Sequence, residues 1–391
     1  MKKNIWITLF LSYFAFPLFA AKTSVVVAFF SENLTISYNT EMLAPVCTAI
    51  DEKGIVQFYR QLEGKDYRIL LDDLNHKKAE LQLNDWLSYV LMRNSVKQIF
   101  QRKSLSEQEL ICWFLLSKMG FDTRLTYLAQ RVYVYVHSAD EVFEIPMIED
   151  KGRNFVNLTN SDANAPGKQE ALYLLNFQAQ PKGKAFSFYF KALPNLPSQV
   201  SKKLIKFKYA NQPIQVEVAY DKVMVEVMEQ YPLIAEREYL ELPLSAALHN
   251  SLLPAFQELI KDKTPRQALE LLLAFTRSSF EYKEDKEYFG KSKPMTVDEV
   301  FFYPYSDCED RSALFYALVK EILDLPMIVV AFPDHLTVAV SLEEELPGAV
   351  ISYQGRRYYI CDPTGPVNSS EIGVFPKSYE NSDFEIICHY K

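Results

Sequence analysis

The chain has 391 residues, 49% of them hydrophobic and 24% charged, which excludes a disordered protein and leaves room for two or three domains of ~100–200 residues. Its net charge of −8 comes without the clustered Lys and Arg that counterion release requires, so nucleic acid is excluded as a partner. The aromatic content, 27 Phe and 24 Tyr against 11 Gly, suits β-rich domains with large side chains.

Residues 1–21 read as an export signal. Lys2 and Lys3 supply the charged start, residues 5–16 a short apolar run, and residues 17–21 the end, with cleavage after Ala20 or Ala21. The run is shorter than the ~20 apolar residues of a membrane span, and no later segment is long and apolar enough to be one. The expectation is a soluble protein, periplasmic or secreted, with an uncleaved buried helix as the alternative. The five cysteines, Cys47, Cys112, Cys308, Cys361 and Cys388, are odd in number and irregularly spaced. They define neither a disulfide framework nor a zinc set, and their pairing stays open.

Residues 22–165 read as a mixed α/β domain. Residues 23–30 and 34–38 alternate like strands. Residues 81–100 carry Leu83, Trp86, Leu87, Val90 and Leu91 at helical spacing, and residues 107–119 form a second helix that Gly120 stops. Residues 131–137 and 154–158 alternate again, and the polar stretch 160–167 reads as a linker. Residues 166–242 read as a β-rich middle domain, from alternating runs at 171–178, 185–193, 203–209, 214–220 and 223–227.

From residue 243 the pattern turns helical. A helix is expected at 245–260, and Thr264 with Pro265 supplies an N-cap and a first-turn proline for another, to about residue 280. Ser306 or Asp307 caps a helix at 308–323. Strands follow at 327–332, 337–342, 349–353, 357–361 and near 384–389. The overall expectation is an α+β protein whose last unit, residues 243–391, packs a helix on an antiparallel sheet.

This last unit holds the residues with chemistry. A thiol attacks only as thiolate, and a free cysteine has a pKa of ~8.5. Cys308 stands at a helix start, where amide dipoles favour an anion and N–H groups can receive an oxyanion. Asp307, Glu309 and Asp310 oppose that charge, so a histidine partner is needed. His335 follows Pro333 and Asp334 and opens a strand, placed to take the thiol proton and return it to a leaving group. Asp362 ends the strand Tyr358, Tyr359, Ile360, Cys361 and precedes Pro363 and Thr364, placed to orient the imidazole.

Cysteine at a helix start, histidine opening a strand and aspartate ending a Tyr-Tyr strand before Pro-Thr resembles the transglutaminase-like superfamily. Upstream, Ser279, Phe280, Glu281 and Tyr282, then Thr296 to Val300 before Asp307 and Cys308, fit the same pattern. The resemblance covers residues 264–364. Ser306 stands where relatives often have Gly, and Leu336 where they often have an aromatic residue. It implies a papain-like core, the triad Cys308, His335 and Asp362, a peptide or protein substrate and no cofactor or metal.

Other residues carry weaker signals. Cys361 should face away from Asp362. His389 beside Cys388 suggests a metal pair without further ligands, Arg311 and Asp310 fit a role in fixing the helix start, and Tyr303 and Tyr305 read as core residues or cleft donors.

Shifting the chain by about 204 residues lays residues 131–136 on 335–340, and one residue more lays 154–159 on 359–364. Ser104, Arg131 and Asn157 would then occupy the three catalytic positions. The first unit reads either as a non-catalytic copy serving as scaffold or substrate platform, or as an unrelated α/β domain, since apolar strands match at many shifts.

The functional expectation is an exported thiol acyl-transfer enzyme acting on peptide or amide bonds, with hydrolysis preferred over cross-linking and cell-wall peptide among the candidate substrates. The alternative is a binding or assembly protein that keeps the fold without turnover. Oligomeric state is not legible.

Overall fold

The computed structural model describes residues 22–159, 172–180, 182–367, 369–375, 379 and 382–391. The expected signal and linker lie outside these residues. The chain is α+β and runs twice through the same sequence of shapes: a hairpin, a set of helices, then a five-stranded sheet.

The first pass opens with the antiparallel hairpin β1 (Lys22–Phe29) and β2 (Glu32–Asn39). Four helices follow: α1 (Glu52–Glu63), α2 (Arg68–Glu80), α3 (Asp85–Ile99) and α4 (Leu105–Lys118). Asp51, Asn84 and Ser104 cap three of them through side-chain oxygens, each satisfying an orphan N–H of a first turn. In α1, Ile55, Phe58, Tyr59 and Leu62 form the buried stripe. The strands are β3 (Thr123–Leu128), β4 (Arg131–His137), the short outlier β5 (Val142–Phe143), β6 (Met147–Asp150), β7 (Arg153–Asn157) and β8 (Tyr173–Leu174). The sheet order is β6-β7-β4-β3-β8, antiparallel throughout.

The second pass starts with β9 (Val200–Tyr209) and β10 (Gln212–Asp221), again a hairpin. Then come α5 (Lys222–Glu229), β11 (Leu233–Ile234), α6 (Glu236–Glu241), α7 (Ala246–Ile260), α8 (Pro265–Ser278), β12 (Glu281–Tyr282), α9 (Asp285–Tyr288), α10 (Val297–Phe302), β13 (Tyr305–Ser306) and α11 (Cys308–Leu318). A π-helical turn, Val319–Leu323, leads into β14 (Met327–Phe332), β15 (His335–Val340), β16 (Val350–Tyr353), β17 (Arg356–Cys361) and β18 (Glu385–Tyr390). The sheet order is β16-β17-β15-β14-β18.

The likeness extends to register. In β3–β4, Thr123 faces Val136 and Leu128 faces Arg131; in β14–β15, Met327 faces Val340 and Phe332 faces His335, an offset of 204 at each position. In β6–β7, Met147 faces Val156; in β16–β17, Val350 faces Tyr359, an offset of 203. Both of these hairpins turn through two residues of positive φ, Lys151–Gly152 and Gln354–Gly355, as a two-residue turn matched to strand twist requires. Ser104 and Asp307 each cap a helix through a reciprocal capping box, with Glu107 and Asp310. Gly120 and Asp324 each end the helical stretch in the left-handed region. The caps differ by 203 and the ends by 204. The π turn, closed by Asp324 N–H donating to the Val319 carbonyl, holds the extra residue.

Among the described residues of 166–242, the strands pack into the two flanking cores rather than into a separate β-rich unit. Residues 185–193 carry no strand, and Phe186 and Phe188 are buried in the first core with Trp86, Leu115 and Val134. The β9–β10 hairpin gives Ile205, Phe207, Val216 and Val218 to the second core, with Leu252, Phe275, Leu314 and Val338. Residues 223–227, expected as a strand, belong to α5. The Asp221 carboxylate caps it by accepting from Val223 N–H, and its buried Val227 and Met228 join the first core. Leu233 and Ile234 of β11 pair with Phe143 and Val142 of β5. These two elements tie the halves together.

Candidate functional site

The start of α11 is fastened from several directions. Arg311, 2% exposed, donates from Nη2 to the Phe280 carbonyl (2.7 Å) and from Nε to Ser306 Oγ (3.0 Å). Asp310 accepts from Asp307 N–H (3.0 Å) and Met295 N–H (2.9 Å). These two residues fix the helix start, as the sequence suggested. One turn into the helix, Ser312 Oγ donates to the Leu336 carbonyl (3.1 Å), setting α11 against β15 beside His335. Cys308 occupies the first helical position and is 9% exposed.

His335 opens β15, and its Nε2 lies 3.2 Å from Asp362 Oδ1. Thr364 donates to the same oxygen from Oγ1 (2.8 Å) and N–H (3.1 Å). Burial raises the Asp362 pKa, but the hydrogen bond and charge of His335 and the Thr364 donors outweigh it and hold the carboxyl below its ordinary value. With Nε2 engaged, Nδ1 is the ring nitrogen left for a thiol. Among the described residues, Cys308 makes no hydrogen bond to His335.

The thiol is not activated in this conformation. Burial pushes Cys308 up to about 12, the Leu336 backbone hydrogen bond opposes that shift, and Glu309, Asp307 and Asp310 add to it. The neighbouring acids are themselves perturbed. Burial, then the Asp307 charge, raises Asp285 to about 7 and Glu309 to about 8. Asp285, Asp307 and Asp310 bring carboxylate oxygens within 4.8 Å of one another, the spacing of a cation site. Backbone N–H groups of Lys293, Asp307, Glu309 and Met295 already serve these three carboxylates, which accounts for their approach without an ion.

Three residues at the site, Arg277, Tyr379 and Phe375, escaped the sequence reading. Arg277 is fully buried in α8, where Leu269 and Leu273 precede it at helical spacing on the core face. Its Nε donates to the Asp362 carbonyl (2.8 Å), and its Nη1 to those of Ser369 (3.2 Å) and Glu371 (3.3 Å). A Cβ on Gly365 would lie 2.7 Å from the guanidinium, so any larger residue there would displace Arg277 from its carbonyls. Tyr379 stacks on the His335 ring (centroids 5.4 Å, 18°) and donates to Asp334 Oδ1 (3.0 Å), and Phe375 flanks the same ring at 6.1 Å. Tyr282 is half exposed under the Arg311 guanidinium, and burial followed by the Cys308 charge raises its pKa. An arginine on a core stripe was the one available signal. The aromatic contacts join residues far apart in sequence.

The weaker candidates fall elsewhere. Tyr303 donates to Glu229 (3.1 Å), and Tyr305 packs on Tyr288. Cys361 is buried, its thiol on Tyr359 O (3.5 Å) and raised to about 12 chiefly by burial. Cys388 Sγ meets Tyr316 Oη (3.5 Å) while the His389 ring lies by Tyr353, so the adjacent pair points apart. All five cysteines are free thiols.

The register settles which first-half residues match the site. Leu158 N–H donates to the Val134 carbonyl (2.8 Å), as Cys361 pairs with Val338, so Thr159 matches Asp362. The capping residues align Leu105 with Cys308, and Arg131 matches His335. Ser104 falls one residue short of the matching position because a uniform shift does not see the π turn, and Asn157 falls two short because the offset in β7 is 203, not 205. Comparison with protein-family models, curated proteins and solved structures gave no match. No helix among the described residues is long and apolar enough to cross a membrane.

Proposed function

We propose that the second half is a thiol acyl-transfer enzyme of the transglutaminase-like kind, exported, with Cys308, His335 and Asp362 as its triad. The observation that carries this reading is the partly buried His335–Asp362 pair at 3.2 Å, on a strand that Ser312 locks to the first turns of α11. Cys308 Sγ attacks an amide carbonyl carbon as its proton passes to His335 Nδ1. The resulting oxyanion is received by the Cys308 N–H at the start of α11, the next N–H groups being taken by the Asp307 cap. Collapse of this intermediate breaks the C–N bond, and His335 returns the proton to the departing amine. Water, deprotonated by His335, then releases the acyl group as acid and restores the thiol. Hydrolysis is preferred because it needs no site for an acceptor amine.

A neutral thiol suits a resting state in which its proton moves only when an acyl group arrives. The raised thiol and the Tyr379 cover also favour a second reading, a peptide-binding module without turnover. A peptidyl acyloxymethyl ketone, which seats as a substrate does, separates the two. The enzyme reading expects a thioether at Cys308 by mass spectrometry, lost in His335→Ala and slowed in Asp362→Asn. Labelling that is absent, or equal in His335→Ala, supports the binding module.

A further inference from the structure

Where the second half buries Cys308 and Asp362, the described residues of the first half leave a cavity at the matching corner. Leu105, Arg131 and Thr159, the matching residues, border a cavity of about 390 Å3. Leu105 is 70% exposed at its mouth, against 9% for Cys308. The nucleophile and the base are both replaced, so the recess has no acyl-transfer chemistry. It does have a charge. Arg93, Lys97 and Arg131 line it with, among the described residues, a single carboxylate, Glu109, which lies 3.5 Å from Arg93. In a chain of net charge −8, this is a local reversal of sign. Arg131 puts a permanent cation where the second half has its titratable histidine.

The recess has a continuation. A cavity of about 660 Å3 between the two halves shares Arg93 and Asn94 with it, and is bordered by Asn157 and Leu158, the residues just before Thr159. Trp86 and Tyr89 form its α3 wall, with Lys291 on the side of the second half. From Trp86 to Lys97, α3 spans about 16 Å, the reach of about five extended residues. A lone small carboxylate would fill one end only.

We infer that the vacated site of the first half binds a carboxylate-bearing peptide segment, its acidic group seated between Lys97 and Arg131 and its chain running along α3 toward the junction of the halves. The inference goes beyond the catalytic reading and does not depend on Cys308 being reactive. A C-terminal carboxylate and an acidic side chain would both satisfy the two cations, and the experiment distinguishes them.

Fluorescence anisotropy on the full chain would use three labelled hexapeptides: acidic side chains with an amidated end, neutral side chains with a free C-terminal carboxylate, and neutral with an amidated end. Binding by the first alone assigns a side-chain carboxylate, and by the second alone a terminal one. The third is expected to bind at least about tenfold more weakly than the better of the other two. Lys97→Glu and Arg131→Glu should each weaken binding about tenfold, Leu105→Trp should block the mouth, and added salt should lower affinity. These positions are exposed, and unchanged circular dichroism would confirm the fold of each variant. Equal binding of all three peptides, no binding of any, or wild-type affinity in both charge-reversal variants would overturn the inference.

Discussion

The two halves share a strand order, a register and a capped helix, yet one ends that helix start in a buried thiol and the other in an exposed leucine. The difference lies in what is laid around a common frame. In the second half, Arg277 holds the loop after β17, Arg311 holds the start of α11, and Tyr379 lies on His335. In the first half the described residues at the matching corner rim a cavity with cations. A frame made of backbone pairing tolerates exchange at its corners, because register depends on the alternation of buried side chains and on turn geometry, not on the residue at a strand's first position.

The largest effect that would sharpen this comparison is expected at Arg277. Arg277→Met strips the donor from the buried Asp362 carbonyl and from the partly exposed Ser369 and Glu371 carbonyls, and the loss should reach about 1–3 kcal/mol, the range for leaving a buried acceptor unsatisfied. Hydrogen exchange should show the second half losing protection first. Equal loss in both halves would mean that they fold as one unit.

Next in size is an attempt to refill the open corner. In Leu105→Cys combined with Arg131→His and Thr159→Asp, the introduced thiol should react with iodoacetamide at least about tenfold faster than Cys308, since exposure and a nearby imidazole both favour thiolate. Slower reaction would show that the shared frame alone does not place a triad.

A smaller change is expected from Glu309→Gln. The folded pKa values of Asp285 and Glu309, about 7 and about 8, lie above the ordinary carboxylate range, so the folded state holds protons that the unfolded chain has released. Their contribution to stability is complete below about pH 4 and is lost as pH rises toward 7 to 8. Glu309→Gln should flatten part of that decline in melting temperature and raise Cys308 alkylation several-fold at pH 8. An unchanged pH profile would remove Glu309 as a cause of the inert thiol.

The smallest effect separates the two caps. Ser104→Ala should cost about 1 kcal/mol by urea denaturation. Asp307→Asn should cost less, because the amide still caps and one charge leaves a buried acidic group.

Much of the second half was legible because its signals are local. Thr264 and Pro265 mark α8, Asp307 marks α11, and β14 to β17 fall within a few residues of their expected positions. Cys308, His335 and Asp362 were readable as residue types at element ends, and the structure brings His335 and Asp362 together. The α5 segment misled because Val223, Val225 and Val227 alternate as a strand does, while its helix is decided by the Asp221 cap and by burial between the halves. The stripe Ile55, Phe58, Tyr59 and Leu62 carried a helical period that went unread. Arg277 and Tyr379 act across gaps that no local pattern spans.

The π-helical turn at Val319–Leu323 has a consequence for how such a site withstands change in chain length. An extra residue in an ordinary α-helix rotates everything before it by about 100°, which would swing Cys308 away from β15. Taken up within one wider ring, the residue adds length without adding rotation. The helix thereby keeps its phase independent of its residue count, and removing one residue from this turn, such as Lys320, should leave the thiol against the Leu336 backbone of β15, whereas the same deletion one turn earlier should turn it away.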